Sequence, residues 1–144
     1  MRALIQRVNG AQVSVGGEVI GAIEGEGLCV LLGVTHADGP DQVKVIARKI
    51  ASLRLLHEEK SVVDVGAPVL LISQFTLYGD VRKGRRPTWS KAAPGEVAEP
   101  LVDAVAKSLR EEHGVHVETG KFGADMQVQL VNDGPFTIMV ESEA

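Results

Sequence analysis

Aromatic residues are nearly missing from this chain: three Phe, one Tyr and one Trp make up 3% of its 144 residues. A close-packed core therefore has to be assembled from Val, Leu, Ile and Ala. A broad aromatic platform for stacking nucleic-acid bases is not what such a composition predicts. Cysteine is almost as scarce. The single Cys29 lies in the apolar run Leu28-Cys29-Val30-Leu31-Leu32, which excludes an internal disulfide and reads as a small core residue rather than a nucleophile. No apolar run approaches the roughly 18–20 residues needed to span a bilayer. The opening Met1-Arg2-Ala3-Leu4-Ile5-Gln6-Arg7 carries no long apolar stretch with a cleavage site. The expectation is a cytoplasmic protein with no membrane partner.

Recognisable cofactor motifs are also missing. The four histidines, His36, His57, His113 and His116, show no i, i+4 pairing on a helix and have no cysteine pair beside them, so no metal is expected. Gly25-Glu26-Gly27 leads into a strand, not a helix, and neither a phosphate-cradling glycine loop nor a Gly-x-Ser-x-Gly elbow occurs; no cofactor is expected. Net charge is −4 with a pI near 5.5, which argues against indiscriminate nucleic-acid binding, and no DNA partner is expected.

What is present is ordinary globular material, 44% apolar and 24% charged, in a length that suits one domain over residues 1–144. Short apolar runs separated by Asn9-Gly10, Gly16-Gly17 and Glu24-Gly25-Glu26-Gly27 predict a four-stranded antiparallel meander over the first 34 residues. Val43, Ile46, Ala47, Ile50 and Leu53 repeat at helical spacing, with Asp38 as N-cap and Pro40 in the first turn. Leu55-Leu56-His57 either finishes that helix or begins a strand. Ser61 to Val65 reads as a short strand, and a buried strand follows over 69–77. From Val97, Leu101, Val105 and Leu109 define a second amphipathic helix, which Pro100 kinks or whose true start it marks; His113 falls in its last turn, a cap for the helix dipole. Val115 to Thr119 alternates as a strand, and two strand-like runs, Met126 to Val131 and Phe136 to Val140, close the chain. The element order gives an α+β domain: two main amphipathic helices against a curved, barrel-like, mostly antiparallel β-sheet.

Three stretches carry polar groups that this frame does not need. Ser73, Gln74 and Thr76 end an otherwise apolar strand. They are either its wet side, bonding their own backbone, or part of a site, since Gln74 amid aliphatic residues requires partners for its amide. A hydroxyl nucleophile requires a base, and none is evident nearby; backbone N–H groups at the strand end are the alternative oxyanion donors. Gly134-Pro135 interrupts the closing pair with a residue that cannot donate to a ladder, as a hairpin corner or as a backbone surface presented to something else. Arg82-Lys83-Gly84-Arg85-Arg86 puts four of the fifteen basic residues within five positions, in the long irregular stretch from Tyr78 to Pro94. A solvated loop is the plain reading; a phosphate contact is the other.

Ser73-Gln74-Phe75-Thr76 and Asn132-Asp133-Gly134-Pro135-Phe136-Thr137 resemble the two signature motifs of bacterial D-aminoacyl-tRNA deacylases, the D-tyrosyl-tRNA deacylase family. Ala3 to Val8, Arg86 to Lys91 and Thr119 to Val128 extend the resemblance over nearly the whole chain. The resemblance implies a homodimer with aminoacyl-tRNA as partner, in which a cis Gly-Pro step of each subunit enters the pocket of the other and rejects L-aminoacyl groups. Glycyl-tRNA, mischarged on tRNA-Ala, is an implied second substrate, because glycine has no side chain to exclude. By position, Ser73, Gln74, Phe75 and Thr76 would form the catalytic pocket for the terminal adenosine and ester. Gly134 and Pro135, with Arg7 orienting them and Met126, Asn132 and Thr137 around them, would hold the amino group and block L side chains. Arg82, Lys83, Arg85 and Arg86 would contact tRNA phosphates. A non-catalytic dimeric module that binds tRNA ends is the rival reading. The family often carries a longer Gly-Lys-Met-Asn-containing hairpin where this chain has only residues 57–66, a departure that touches the pocket rim or a tRNA contact and leaves both motifs intact.

Overall fold

The computed structural model describes residues 1–142. The chain forms β1 (Arg2–Val15), β2 (Glu18–Gly33), α1 (Pro40–Ser52), α2 (Val62–Val65), β3 (Val69–Ser73), α3 (Gly95–Glu111), β4 (Val117–Thr119) and β5 (Gln127–Glu141). One five-stranded sheet runs in the order β4-β3-β2-β1-β5. The long pairings β1–β2 and β1–β5 are antiparallel, whereas the short β2–β3 and β3–β4 pairings are parallel. Among the described residues no helix is long and apolar enough to cross a membrane.

The expected four-strand meander is instead one long hairpin. Only Gly16-Gly17, with φ of +59° and +82°, reverses the chain, as a two-residue turn with both central residues left-handed. Asn9 pairs with Glu26 and Ala11 with Ile23, so Gly10 lies opposite two residues, Glu24 and Gly25, in a bulge. Gly10 and Gly25 both take positive φ, and the turn-like composition serves to bend a continuous ladder. The bend also changes the phase of β1. Ala3 and Ile5 face the helix-covered core, while Val8, Ala11 and Val13 join a second cluster with Ile23, Cys29, Leu70 and Ile72 on the other face. The curled sheet thus buries both sides, and α1 and α3 cover one of them.

Several local expectations change for identifiable reasons. Gly39 caps α1, its N–H donating to Gln42 Oε1, because the Asp38 carboxylate is engaged elsewhere. Ser61 to Val65 is not a strand: Ser61 and Asp64 form a reciprocal capping box, 3.1 and 2.9 Å, and start the helical turn α2, overriding the β-preference of two adjacent valines. Neither helix nor strand claims Leu55 and Leu56; Leu56 pairs across a tight reversal with Lys60. The strand predicted over 69–77 stops at Ser73 and passes into a 3₁₀ turn, Phe75–Tyr78. Pro100 does not mark the start of α3, which begins five residues earlier at Gly95; its exposed position leaves the bond it cannot make on the solvent side. His113 lies beyond the last residue of α3, where the chain turns through Gly114 in the left-handed region. The strand expected over 115–119 is shortened to β4. The two closing runs are one strand, β5, carrying an outward excursion described below.

Met1 lies against Ser142. The Met1 ammonium is fully buried and donates to Asp38 Oδ1 at 2.8 Å and Ser142 Oγ at 2.6 Å, with the Asp38 side chain 2% exposed. Asp38 Oδ2 also accepts from the Thr35 N–H. Asp38→Asn removes a charged acceptor that is 2% exposed from the buried Met1 ammonium, so it is expected to destabilise the fold by about 3 kcal/mol and lower the thermal midpoint by roughly 10 °C. Thermal unfolding followed by circular dichroism checks this, and an unchanged midpoint would show that the ion pair contributes little.

Candidate active site

The parallel ladder of β2 and β3 ends at the Leu32–Ser73 pair. The Gln74 N–H donates to the Leu32 carbonyl at 2.8 Å, and the chain then tightens into the 3₁₀ turn. Opposite this strand end, the first turns of α3 offer Gly95, Ala98 and Val102, and the segment before β5 offers Phe122, Ala124, Asp125 and Met126. The small residues on α3 and at Ala92 and Ala93 leave a gap between these walls. The result is a cavity of about 560 Å³, within the range of nucleoside-sized ligand sites.

The cavity wall is largely apolar. Ser73 and Gln74 supply polar groups at its floor, and Asp125 is the one charged side chain on it among the described residues. The Gln74 amide donates to Thr76 Oγ1 at 2.5 Å, which answers the demand of a half-buried amide for a partner. Thr76 itself is exposed and lies off the cavity wall. Among the described residues no imidazole, carboxylate or amine bonds to its hydroxyl. The first N–H groups of a helical turn have no acceptor within it, so the turn presents main-chain donors at Phe75 and Thr76 beside the floor. Its far end is fixed by Arg2, whose Nη1 donates to the Leu77 carbonyl at 2.9 Å and whose guanidinium lies 4.5 Å from the Tyr78 ring centre.

Two aromatic rings mark the rim. Phe75 and Trp89 meet edge to face with centroids 5.6 Å apart, and both are substantially exposed. Gly79 is what lets Trp89 lie there: a Cβ at that position would sit 2.7 Å from Trp89 Cζ3.

The second motif forms a different object. Gln6 pairs with Thr137 and Val8 with Asn132, so residues 133–136 bulge out of β5 opposite the single residue Arg7. Arg7 is 6% exposed, and its fork holds this excursion: Nε donates to the Asp133 carbonyl at 2.8 Å and Nη2 to the Gly134 carbonyl at 2.6 Å. The same guanidinium lies 4.9 Å from the Phe136 ring centre. Thr137 Oγ1 donates to Asn132 Oδ1 at 3.1 Å across the neck. The Gly134–Pro135 peptide is cis and exposed. His57 Nε2 sits 2.6 Å from Asp133 Oδ2, and that hydrogen bond, together with the charges of His57 and Arg7, holds the Asp133 carboxyl below the usual carboxylate range.

Of the predicted site residues, Ser73, Gln74, Phe75 and Met126 converge on the cavity, while Arg7, Asn132, Gly134, Pro135 and Thr137 gather at the excursion, off the cavity wall of their own chain. The basic loop is exposed throughout. Arg82 folds back on Asp80, with Nη2 2.7 Å from Oδ2, and its hydrogen bonds hold the Asp80 carboxyl well below its ordinary range. Arg82 is thereby partly neutralised, whereas Lys83, Arg85 and Arg86 form no ion pair among the described residues. Sequence reasoning passed over Trp89, Phe122 and Asp125 as cavity residues. The available signals were the sole tryptophan in the long irregular stretch and the resembling runs Arg86 to Lys91 and Thr119 to Val128, which contain all three residues. Because Trp89 is the sole tryptophan, its fluorescence reports the rim: Gly79→Ala is expected to displace the ring and increase its quenching by iodide, and an unchanged quenching constant would mean the backbone absorbs the added methyl.

Residues 4–141 match the family described as D-Tyr-tRNA(Tyr) deacylase. The chain is 68% identical over 142 residues to a protein of Kineococcus radiotolerans named D-aminoacyl-tRNA deacylase, covering 99% of this chain and 100% of that one. It is 64% identical over 141 residues to a protein of the same name from Streptomyces coelicolor, covering 98% and 99%. Among solved structures, one titled "c-Myc DNA Unwinding Element Binding Protein" superposes with a TM-score of 0.93 at 44% identity, over 100% of both chains. Another, titled "Structural Analysis of a probable eukaryotic D-amino acid tRNA deacylase", shares the fold with a TM-score of 0.85 at 18% identity, over 96% and 97%. With the match spanning both motifs and nearly the full chain, this protein belongs to the D-Tyr-tRNA(Tyr) deacylase family.

Proposed function

We propose that this chain hydrolyses the ester of D-aminoacyl-tRNA to free tRNA and D-amino acid, and spares L-aminoacyl-tRNA through a Gly134–Pro135 step supplied by a second copy. The observation that carries the second half is the immobilised excursion. Its two carbonyls are pinned by Arg7, its Gly-Pro step is exposed, and it lies off the cavity of its own chain. β5 is also the edge strand of the sheet and exposes Val131, Phe136 and Met139, the kind of edge that proteins cover. A homodimer would cover it and bring each excursion to the other cavity.

D- and L-aminoacyl groups exchange hydrogen and side chain at one carbon. A main-chain wall placed where the L side chain must go rejects every L residue whatever its chemistry, and has no rotamers through which to yield. Glycine passes such a wall, so glycyl-tRNA mischarged on tRNA-Ala is the second substrate of this reading. Ser73 and Gln74 floor the cavity for the terminal adenosine, with Phe75 and Trp89 at its mouth. Water attacks the ester carbonyl, the bond to the ribose oxygen breaks, and the proton lost by water goes to that oxygen. The neighbouring 2′-hydroxyl assists, since Thr76 lacks a base. The main-chain N–H groups of Phe75 and Thr76 stabilise the developing oxyanion, an effect of roughly 10²–10³ in rate per donor in hydrolases of known mechanism. Lys83, Arg85 and Arg86 contact acceptor-stem phosphates more freely than Arg82. The protein acts in the cytoplasm, where its substrate is made.

Incubated with D-tyrosyl-, L-tyrosyl- and glycyl-tRNA without added metal, the protein is expected to hydrolyse the first and third and spare the second. Binding of all three without turnover would favour the rival tRNA-end binding module, and equal turnover of D and L esters would reject the chiral wall. Thr76→Val is expected to keep turnover of the D ester within about tenfold of the parent; complete loss with folding and tRNA binding intact would restore Thr76 as nucleophile. Sedimentation at micromolar concentration is expected to give a dimer, and a monomer would remove the cross-subunit wall.

A further inference from the structure

We propose that His57 is a positioning residue for the Gly134–Pro135 step, and that its imidazole makes the placement of that step, and with it the rejection of L-aminoacyl groups, dependent on pH. The proposal rests on the chiral-wall reading above for its functional consequence, but not for its structural core.

Among the described residues, side chains hold the excursion over residues 133–136 at three places. Arg7 holds the Asp133 and Gly134 carbonyls, the Asn132–Thr137 bond closes the neck, and His57 Nε2 holds Asp133 Oδ2 at 2.6 Å. A guanidinium, an amide and a hydroxyl do not change charge between pH 5 and 8, whereas an imidazole does. Among the described residues, His57 is thus the one imidazole among the side chains that hold the excursion.

The segment that presents His57 is itself held in an unusual shape. Glu58 and Glu59 are consecutive non-glycine residues with φ of +61° and +56°, a conformation that persists only where its surroundings over-determine it. Here the Leu56 N–H bonds to the Lys60 carbonyl at 2.9 Å, and the His57 N–H donates to Glu26 Oε2 at 2.8 Å. The outcome of that tight reversal is a ring aimed across from the α1–α2 connection to β5.

The charges around the ring set the sign. Asp133 faces it from β5 and Glu26 from β2, the latter at 3.8 Å. Arg7 stands behind Asp133 at 3.7 Å from Oδ2, and Glu58, Glu59 and Lys60 lie on the same turn as His57. Of these, only the Asp133 carboxylate lies within hydrogen-bond distance of the ring. The contact is charge-assisted while the ring is protonated, and it falls back to a neutral hydrogen bond, or opens, as pH rises. The excursion is therefore fixed most firmly at acid pH and gains freedom above neutrality.

The test compares the parent with His57→Gln and His57→Lys, all checked for an unchanged thermal midpoint and dimer content. The ratio of kcat/KM for D- over L-tyrosyl-tRNA, corrected for spontaneous ester loss, is measured from pH 5.5 to 8. The parent ratio is expected to fall about two- to fivefold across this range, the change that weakening of one solvent-exposed charge-assisted contact gives. His57→Gln is expected to hold the low ratio at every pH, and His57→Lys, with a permanent charge, the high one. In parallel, the Gly134 amide resonance is followed by NMR; in the parent it is expected to titrate together with the His57 ring, and in His57→Gln not at all. A parent ratio that does not change with pH and matches His57→Gln would overturn the positioning role while leaving the chiral wall standing. If the parent shows no preference for the D ester at any pH, the wall fails. The Gly134 titration alone then decides: its presence supports His57 as the residue that places the excursion, and its absence refutes it.

Discussion

A single guanidinium organises the second half of the site. Arg7 sits on β1 where the ladder to β5 would otherwise run straight, and its fork takes two successive carbonyls of β5 out of the ladder and holds them 2.8 and 2.6 Å away. Nearly every other feature of the excursion follows from this. The four displaced residues have to go somewhere, and with Arg7 filling the space behind them they stand outward. A lysine would supply the charge but not the two parallel bonds. Burial of Arg7 makes the arrangement obligatory, because a buried guanidinium without acceptors is far costlier than a distorted strand.

The first half of the site is made by subtraction. Ala92, Ala93, Gly95 and Ala98 do nothing chemical; they leave a gap between a strand end and a helix, and the aliphatic core closes around it. A composition poor in aromatics suits this, since a core of Val, Leu, Ile and Ala packs closely without large rings that would fill such a gap. The five aromatic residues include Phe75 and Trp89 at the cavity rim and Phe136 against Arg7, each at the border between core and solvent where a rigid ring shapes a surface.

How much of this could be read from residues alone depends on how local the cause was. The spacing of Val43, Ile46, Ala47 and Ile50 placed α1, because helix amphipathicity needs no distant information. Polar Gln74 amid aliphatics demanded a partner for its amide, and Thr76 Oγ1 is that partner, for burial of an amide carries that demand wherever it lies. The four-strand meander failed because a glycine pair that turns a chain and a glycine that bulges one look alike until the opposing strand is known. Ser61 and Asp64 spelled a capping box, but two valines between them read as strand. The Arg7 fork and the His57–Asp133 contact were invisible, since they join residues 126–127 and 76 positions apart; a family resemblance pointed to Arg7 beside the Gly134–Pro135 step, and nothing pointed to His57.

The register of the sheet sets an order of events. Arg2 pairs with Glu141, and the Ser142 N–H reaches the Met1 carbonyl, so β1 finds this neighbour only after every element between them has been made. Until β5 leaves the ribosome, β1 is an edge, Arg7 lacks its acceptors and the excursion does not exist. The β1–β2 and β2–β3 pairings, by contrast, are complete once Ser73 has been made. The cavity floor is therefore available before the element proposed to read handedness has formed. A chain cut short before β5 would keep most of its core and still lack the part proposed to discriminate.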